Sequence, residues 1–158
     1  MGMTKAFGTL ALVAMGCLSG CASVPNSAPR FAAAAAAPTG YQNVYIYRIG
    51  AYPTKRTPTI AIDGKPVFDP PETAYTVVHL TPGQHWISTK WSWDAGTPPL
   101  SVPFEIANGP VYIRLSGDFD FRGLSYRVGT NIGMVPQAPT EAELSRCCRY
   151  VAAQGWAN

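Results

Sequence analysis

Short segments in which apolar and polar residues alternate fill most of the chain from residue 41 to about residue 136. This period of two, with its β-branched and aromatic residues, predicts β-strands that bury one face. The predicted strands are Tyr41–Ile49, Thr59–Ile62, Lys65–Phe68, Tyr75–Leu80, His85–Trp91, Val111–Leu115 and Ser125–Val135. Several short strands separated by turns predict a mainly β fold, an antiparallel β-sandwich.

Two turn motifs separate neighbouring predicted strands. Asp63-Gly64 suits the positive φ angles of a tight hairpin between the second and third strands. Pro66 predicts that the third strand lies at a sheet edge, because proline cannot donate to a strand ladder. Thr81–Gln84 separates the fourth and fifth strands, which predicts a second hairpin centred on Pro82-Gly83.

One segment near the C-terminus has a helical pattern. Thr140 and Glu143 have the spacing of a capping box, in which each side chain satisfies a backbone donor at a helix start. An apolar stripe at i, i+3, i+4 and i+7 follows, formed by Leu144, Cys147, Cys148 and Val151. We therefore expect one short C-terminal helix that packs against the sheet.

The chain starts with a different pattern. A basic start, Met1–Lys5, precedes an apolar run, Ala6–Gly16, which is too short to span a bilayer and is typical of a signal peptide. The next residues, Leu18–Cys21, resemble the lipobox of bacterial lipoproteins, which implies cleavage before Cys21 and acylation of its sulfur and new amino terminus. We expect residues 1–20 to be a lipoprotein signal peptide. The alternative is an ordinary Cys21 thiol beside a conventional cleavage site.

Residues 21–40 are predicted to be the lipidated cysteine and a mostly disordered Ala/Pro-rich tether. The alanine run Ala32–Ala37 is too short for a stable isolated helix, and Pro38 limits it further. Fully extended, the tether would reach roughly 60 Å. Ala22 and Ser23 resemble the residues that follow the cysteine in outer-membrane lipoproteins, which implies that location.

Residues 41–158 are enough for one domain with its own core, the β-sandwich with its terminal helix. The whole chain has a formal net charge of +3. Lys5 and Arg30 lie outside this domain, which leaves it nearly neutral. Because the domain has no basic run, its charge does not indicate binding to nucleic acid.

Four segments of the domain resemble a family of bacterial lipoproteins known as a domain of unknown function, and more distantly the PEGA-type β-domains. The segments are Val44–Arg48, Ile60–Val67, Tyr75–His85 and Val111–Arg114. The resemblance implies a β-fold and supplies no catalytic residues. Trp91–Asp94 and the C-terminal cysteines are not part of it.

Two groups of residues are candidates for metal binding, and neither pattern favours it. The predicted second hairpin places His79 and His85 on opposite faces of the sheet, where they cannot share a metal ion, so both are predicted to be structural. Asp118 and Asp120 could face one cation from an extended loop, but hard cations require more oxygen ligands, and a solvated turn is favoured. We expect no metal and no cofactor.

The tryptophans Trp86, Trp91 and Trp93 are candidates for recognition, because aromatic rings offer apolar area and a polar group at low conformational cost. On one hypothesis they bind a partner protein or a cell-wall glycan. Trp91 and Trp93 share a face if the strand continues. The alternative, which is favoured, is that the three rings cover the end of a small core.

Cys147 and Cys148 are predicted to be packing residues of the helix that do not bond to each other, because a helical backbone would have to distort to join them. Burial in the apolar stripe gives a reason for small apolar side chains. In an oxidising compartment, a disulfide to a second chain is the alternative.

The sequence as a whole predicts a lipid-anchored, noncatalytic protein of the bacterial cell envelope, in the outer membrane and facing the periplasm, that acts as an accessory or binding module. Its expected partners are the membrane, through acylated Cys21, and an envelope protein or cell-wall glycan. The alternative is a small hydrolase-like envelope enzyme, although no nucleophile motif marks one. A pocket that joins His79 or His85 to a carboxylate and a nucleophile would favour the enzyme.

Overall fold

A computed structural model of the chain describes residues 23–51, 56–123 and 125–156, with the backbone alone for residues 94, 118–122 and 125–128. The expected signal peptide and Cys21 lie outside the described residues. The strands are β1 Gln42–Arg48, β2 Thr59–Ile62, β3 Lys65–Phe68, β4 Ala74–Leu80, β5 Gly83–Lys90, β6 Leu100–Ile106, β7 Val111–Arg122, β8 Ser125–Val135 and β9 Arg149–Tyr150. The helix α1 is Gln137–Cys147, and a short 3₁₀ helix covers Trp93–Ala95.

Two sheets form a sandwich, as the strand pattern predicts. One sheet has five strands in the order β8-β7-β1-β4-β9, and the other has four in the order β3-β2-β5-β6. All pairs of the four-stranded sheet are antiparallel. The five-stranded sheet is mixed, because β1 runs parallel to β7 and β4 runs parallel to β9.

The main core lies between the two sheets. Alternation in β1 sends Val44 and Ile46 into this core and sends Tyr45 and Tyr47 to the opposite face. Apolar side chains from both sheets meet there and are removed from water, which is the main stabilising contribution of the sandwich. The largest of them are Ile46, Ile60, Ile62, Phe68, Leu80, Ile87, Phe104, Ile106, Ile113 and Leu115.

A second apolar cluster covers the outer face of the five-stranded sheet. Tyr45 stacks on Tyr112 with ring centroids 4.6 Å apart and an interplanar angle of 3°. Leu144 of α1 is fully buried against this face. The helix therefore forms a third layer on the sandwich.

The described part of the expected tether, residues 23–40, differs from a disordered spacer because it packs along this same face. The Phe31 ring contacts Tyr45 and Tyr75 edge-on, at centroid distances of 5.9 and 5.4 Å. The Ala34 N–H donates to the Tyr45 hydroxyl over 2.9 Å. The tyrosines on the outer face of the sheet explain the difference, since covering them with chain removes aromatic surface from water.

The first predicted hairpin is confirmed and the second is wrong. Asp63 and Gly64 have φ angles of 49° and 77° between β2 and β3, and β3 lies at a sheet edge. By contrast, β4 pairs with β1 and β9, whereas β5 pairs with β2 and β6. The chain crosses from one sheet to the other at Thr81-Pro82. Alternation fixes the buried face of each strand but does not identify its partner.

The helix starts earlier and ends earlier than its pattern predicts. Its N-cap is Pro136, without a side-chain hydrogen bond, and the Thr140 hydroxyl lies inside the helix and donates to the Pro136 carbonyl over 2.6 Å. The capping-box prediction is therefore wrong. Pro139 is tolerated in the first turn, where backbone N–H groups have no helical acceptor. The helix ends at Cys147, so Val151 packs against the main core from beyond the helix.

Candidate functional site

A groove of about 610 Å³ lies between α1 and the outer face of the five-stranded sheet. We call it the α1 groove and define it by Tyr47, Arg114, Val135, Glu143, Arg146 and Cys147. The residues that α1 contributes, Glu143, Arg146 and Cys147, are three or four positions apart, which places their side chains on one face of the helix. The sheet wall comes from the ends of β1, β7 and β8. Four distant parts of the chain therefore meet in this groove.

Three polar side chains of the α1 groove, those of Tyr47, Glu143 and Arg114, form one connected set. The Tyr47 hydroxyl donates to Glu143 Oε2 over 2.6 Å, and Glu143 Oε1 lies 3.5 Å from an Arg114 terminal nitrogen. Burial raises the pKa of Tyr47 well above its ordinary range, and the hydrogen bond to Glu143 and its charge raise it further. Tyr47 is therefore a neutral donor across the physiological range.

The two arginines give the α1 groove a positive balance. Arg114 and Arg146 line the groove with a single carboxylate, Glu143, which pairs with Arg114, so the charged lining residues keep one excess cation. Arg114 Nε is buried and has no hydrogen-bond partner within the described residues. Val135 and Cys147 supply apolar surface beside these cations. A carboxylate or phosphate that carries an apolar group matches this arrangement.

Cys147 and Cys148 are joined by a disulfide, so the prediction that they do not bond to each other is wrong. That prediction assumed a helical backbone at both residues. The helix ends at Cys147, and Cys148 is extended, with φ −118° and ψ 147°. Cys148 is buried, as predicted, whereas Cys147 lines the α1 groove.

The three candidate tryptophans do not form one surface. Trp91 is 4% exposed, and the Arg48 guanidinium lies 5.1 Å from the centroid of its ring. Trp91 is therefore a packing residue, as the favoured alternative predicts, and its ring is not on a surface where it could contact a partner or a glycan. The strand ends at Lys90, so Trp91 and Trp93 do not continue one strand face.

Trp86 and Trp93 remain on the surface. Trp86 is 51% exposed on the outer face of the four-stranded sheet, opposite Pro103 of the neighbouring strand. Trp93 is 96% exposed in the 3₁₀ helix. Neither ring lines the α1 groove.

The two histidines lie in different sheets, His79 in β4 and His85 in β5. The ring of His85 is held at both nitrogens, with Nδ1 2.7 Å from Asp63 Oδ2 and Nε2 2.9 Å from the Thr81 carbonyl. Burial raises the pKa of Asp63, but hydrogen bonds from His85 and from the Trp86 N–H outweigh it and lower the pKa. His85 therefore links Asp63, in the turn between β2 and β3, to Thr81, where the chain crosses between the sheets.

The region of Asp118 and Asp120 is part of a strand, so the predicted turn is wrong. The two residues pair with Gly129 and Arg127 of β8. Their side chains lie outside the described part of the structure, and the cation hypothesis stays untested there. Among the side chains that the structure describes, no group of three or more His, Cys, Asp or Glu could hold a metal ion.

No protein-family model, curated protein or solved structure matches the chain. No helix among the described residues is long and apolar enough to cross a membrane. The sequence pattern did not identify Tyr47, Arg114, Glu143 or Arg146 as site residues. Each has an ordinary strand or helix position, and only the position of α1 on the sheet brings them together.

Proposed function

We propose that this protein is a lipid-anchored, noncatalytic module of the bacterial cell envelope that binds an anionic, partly apolar ligand in the α1 groove. The basic start, the short apolar run and the lipobox-like Leu18–Cys21 support the anchor. Ala22 and Ser23, which resemble the residues after the cysteine in outer-membrane lipoproteins, support an outer-membrane location facing the periplasm. The resemblance to bacterial lipoproteins of a family without known catalytic residues supports the same function.

The observation that carries the proposed binding is the environment of Arg114. Its guanidinium reaches Glu143 on one side, and its buried Nε lacks a partner within the described residues. The Arg114 side chain is 40% exposed, so its guanidinium is open to a ligand oxygen from the groove side. Arg146 supplies the second cation, and the neutral Tyr47 hydroxyl stays in place through its bond to Glu143.

The enzyme alternative has less support. In a catalytic triad, the histidine nitrogen that is not held by the carboxylate must face a nucleophile. His85 does contact a carboxylate, that of Asp63, but its Nε2 faces the Thr81 backbone carbonyl. Neither His79 nor His85 lines the α1 groove. This geometry favours a structural role for His85.

Among the expected partners, a cell-wall glycan with its peptide stem fits the α1 groove, because the stem carries carboxylates beside aliphatic side chains. An arginine can bind a carboxylate through two parallel hydrogen bonds, which a lysine cannot reproduce. Trp86 on the open sheet face is a separate candidate contact for a sugar ring or a partner protein.

Titration of the acylated full-length protein in detergent with a soluble muropeptide, followed by NMR of the arginine Nε–H signals, tests this proposal. We expect the signals of Arg114 and Arg146 to shift, and Arg114→Gln to weaken binding at least about tenfold, the loss typical of a charged hydrogen bond. Lys90→Gln, at an exposed cation outside the groove, should bind normally. Equal weakening by both variants, or no shift of either arginine, would contradict binding in the groove.

A further inference from the structure

The first described residues of the chain are attached to its last ones. The Tyr150 N–H donates to the Pro29 carbonyl over 2.8 Å, and the Arg149 side chain donates to the Ala28 carbonyl over 2.8 Å. Arg30 and Arg149 form an antiparallel bridge. In an antiparallel bridge, the residues before one partner lie beside the residues after the other. The segment before Arg30 therefore lies beside the segment after Arg149.

The segment before Arg30 and the segment after Arg149 both reach the main core at one edge of the sandwich. Val24 and Trp156 both pack against the core between the sheets. The Gln154 N–H donates to the Val67 carbonyl over 2.6 Å, and Trp156 Nε1 donates to the Pro66 carbonyl over 2.8 Å. We call this edge, formed by residues 23–30, Lys65–Phe68 and residues 149–156, the anchor edge.

The docking of Val24 shortens the connection to the lipid. Val24 is three positions beyond Cys21 in the chain. Since one residue spans at most about 3.6 Å, the Cys21 Cα lies within about 11 Å of the docked Val24, not at the end of a long spacer. We propose that the anchor edge rests on the anionic phospholipid surface that carries the acylated Cys21. This inference rests on the proposed lipid anchor.

The charge of the anchor edge fits this partner. Its three segments contain three cationic residues, Arg30, Lys65 and Arg149, and no Asp or Glu. Arg30 and Lys65 are exposed. Each basic residue close to an anionic membrane surface strengthens attachment about fivefold, and a basic patch beside a lipid chain makes a second attachment signal.

Trp156 adds the aromatic group that membrane interfaces favour. The Lys65 ammonium lies 4.4 Å from the centroid of the Trp156 ring, so cation and ring form one amphipathic unit. Tryptophan is enriched where apolar tails meet polar headgroups. The Trp156 N–H is satisfied by the Pro66 carbonyl, so the partly exposed ring supplies the apolar contact and Lys65 supplies the polar one. The Trp156–Lys65 pair therefore gives the anchor edge both kinds of contact.

Energy transfer from two labelled positions tests the orientation. The full acylated chain is placed in nanodiscs of phosphatidylcholine and phosphatidylglycerol with a headgroup-labelled acceptor lipid. The donor dye is attached at Ala152→Cys on the anchor edge, or at Ser101→Cys on β6, and both positions are exposed. β6 lies three strands from β3, about 14 Å across the sheet. Acylation of Cys21 and the Cys147–Cys148 disulfide leave the introduced thiol as the site of labelling.

We expect severalfold more transfer from residue 152 than from residue 101. Combined Arg30→Glu and Lys65→Glu should lower transfer from residue 152, whereas Lys90→Glu, an exposed change on β5, should not. Equal transfer from both positions in acylated protein would overturn the membrane-facing edge and leave the anchor intact. If intact mass shows an unacylated Cys21 and the protein stays off the nanodiscs, the anchor itself is wrong.

Discussion

The Tyr47 hydroxyl donates a hydrogen bond to Glu143 Oε2 over 2.6 Å, although the two residues are 96 positions apart in the sequence. On the other side of α1, the Tyr112 hydroxyl donates to Glu141. Two tyrosines of the five-stranded sheet thus hold the helix from both sides through its glutamates. The α1 groove keeps its shape because one of these contacts, Tyr47 to Glu143, forms part of its wall.

Removal of the Tyr47 hydroxyl should loosen the helix. We expect Tyr47→Phe to lower the free energy of unfolding by about 1–2 kcal/mol, because a hydrogen bond to a carboxylate is lost at a buried position. Urea denaturation at pH 7 measures this change. Tyr41→Phe, at an exposed ring, is the matched control and should be neutral. Equal effects of the two variants would contradict the role given to the hydroxyl.

The same tyrosines predict a loss of stability at alkaline pH. Burial and the neighbouring glutamates raise the pKa of both Tyr47 and Tyr112 above the ordinary value. Unfolded tyrosines ionise above about pH 10 while these two stay protonated in the fold, so stability is full below pH 10 and falls as pH rises further. Denaturation between pH 8 and pH 11.5, with absorbance of tyrosinate, measures it. Stability that stays constant to pH 11.5 would exclude these shifts.

The sequence predicted the sandwich well because one-sided burial imposes alternation on each strand. It did not predict β6, Leu100–Ile106, whose central Pro103 argues against a strand. β6 is nevertheless an edge strand of its sheet, where proline is tolerated. Alternation also cannot identify partners, so β4 and β5 were wrongly joined in one hairpin although they belong to different sheets.

The α1 groove could not be predicted, for a related reason. Arg114 lies on β7 and Glu143 on α1, and their contact depends on where the helix packs. Tyr47 has the alternation of an ordinary strand residue, which does not distinguish a groove wall from a buried face. The disulfide was missed because the helical stripe was extended to Cys148 and Val151, whereas the helix ends at Cys147.

Truncation of Trp91 and truncation of Trp86 should lower stability by very different amounts. Trp91 is buried beside Arg48, a side chain that is itself fully buried and donates to the Ala51 and Pro70 carbonyls. We expect Trp91→Ala to cost about 3–5 kcal/mol, as for other buried aromatic residues. Trp86→Ala, at a half-exposed ring, should cost less than about 1 kcal/mol. Thermal and urea denaturation compare the two, and a larger loss for Trp86→Ala would contradict their placement.

The Cys147–Cys148 disulfide should be easy to remove without unfolding the domain. It closes a loop of two adjacent residues, for which the chain-entropy model gives only about 1 kcal/mol of stabilisation. We expect the native protein to resist thiol alkylation at these residues, and reduction to lower stability by no more than that amount. Rapid alkylation of either cysteine before reduction would show that the disulfide is absent.

Attachment of lipid at Cys21 is the claim on which the envelope function and the anchor edge both depend. Intact mass spectrometry of the protein extracted from membranes with detergent tests it most directly. We predict a mature chain that begins at Cys21 and carries a diacylglycerol and an amino-terminal acyl group, and Cys21→Ala should leave an unprocessed, unacylated precursor. A mature chain with an unmodified Cys21 thiol would contradict the account.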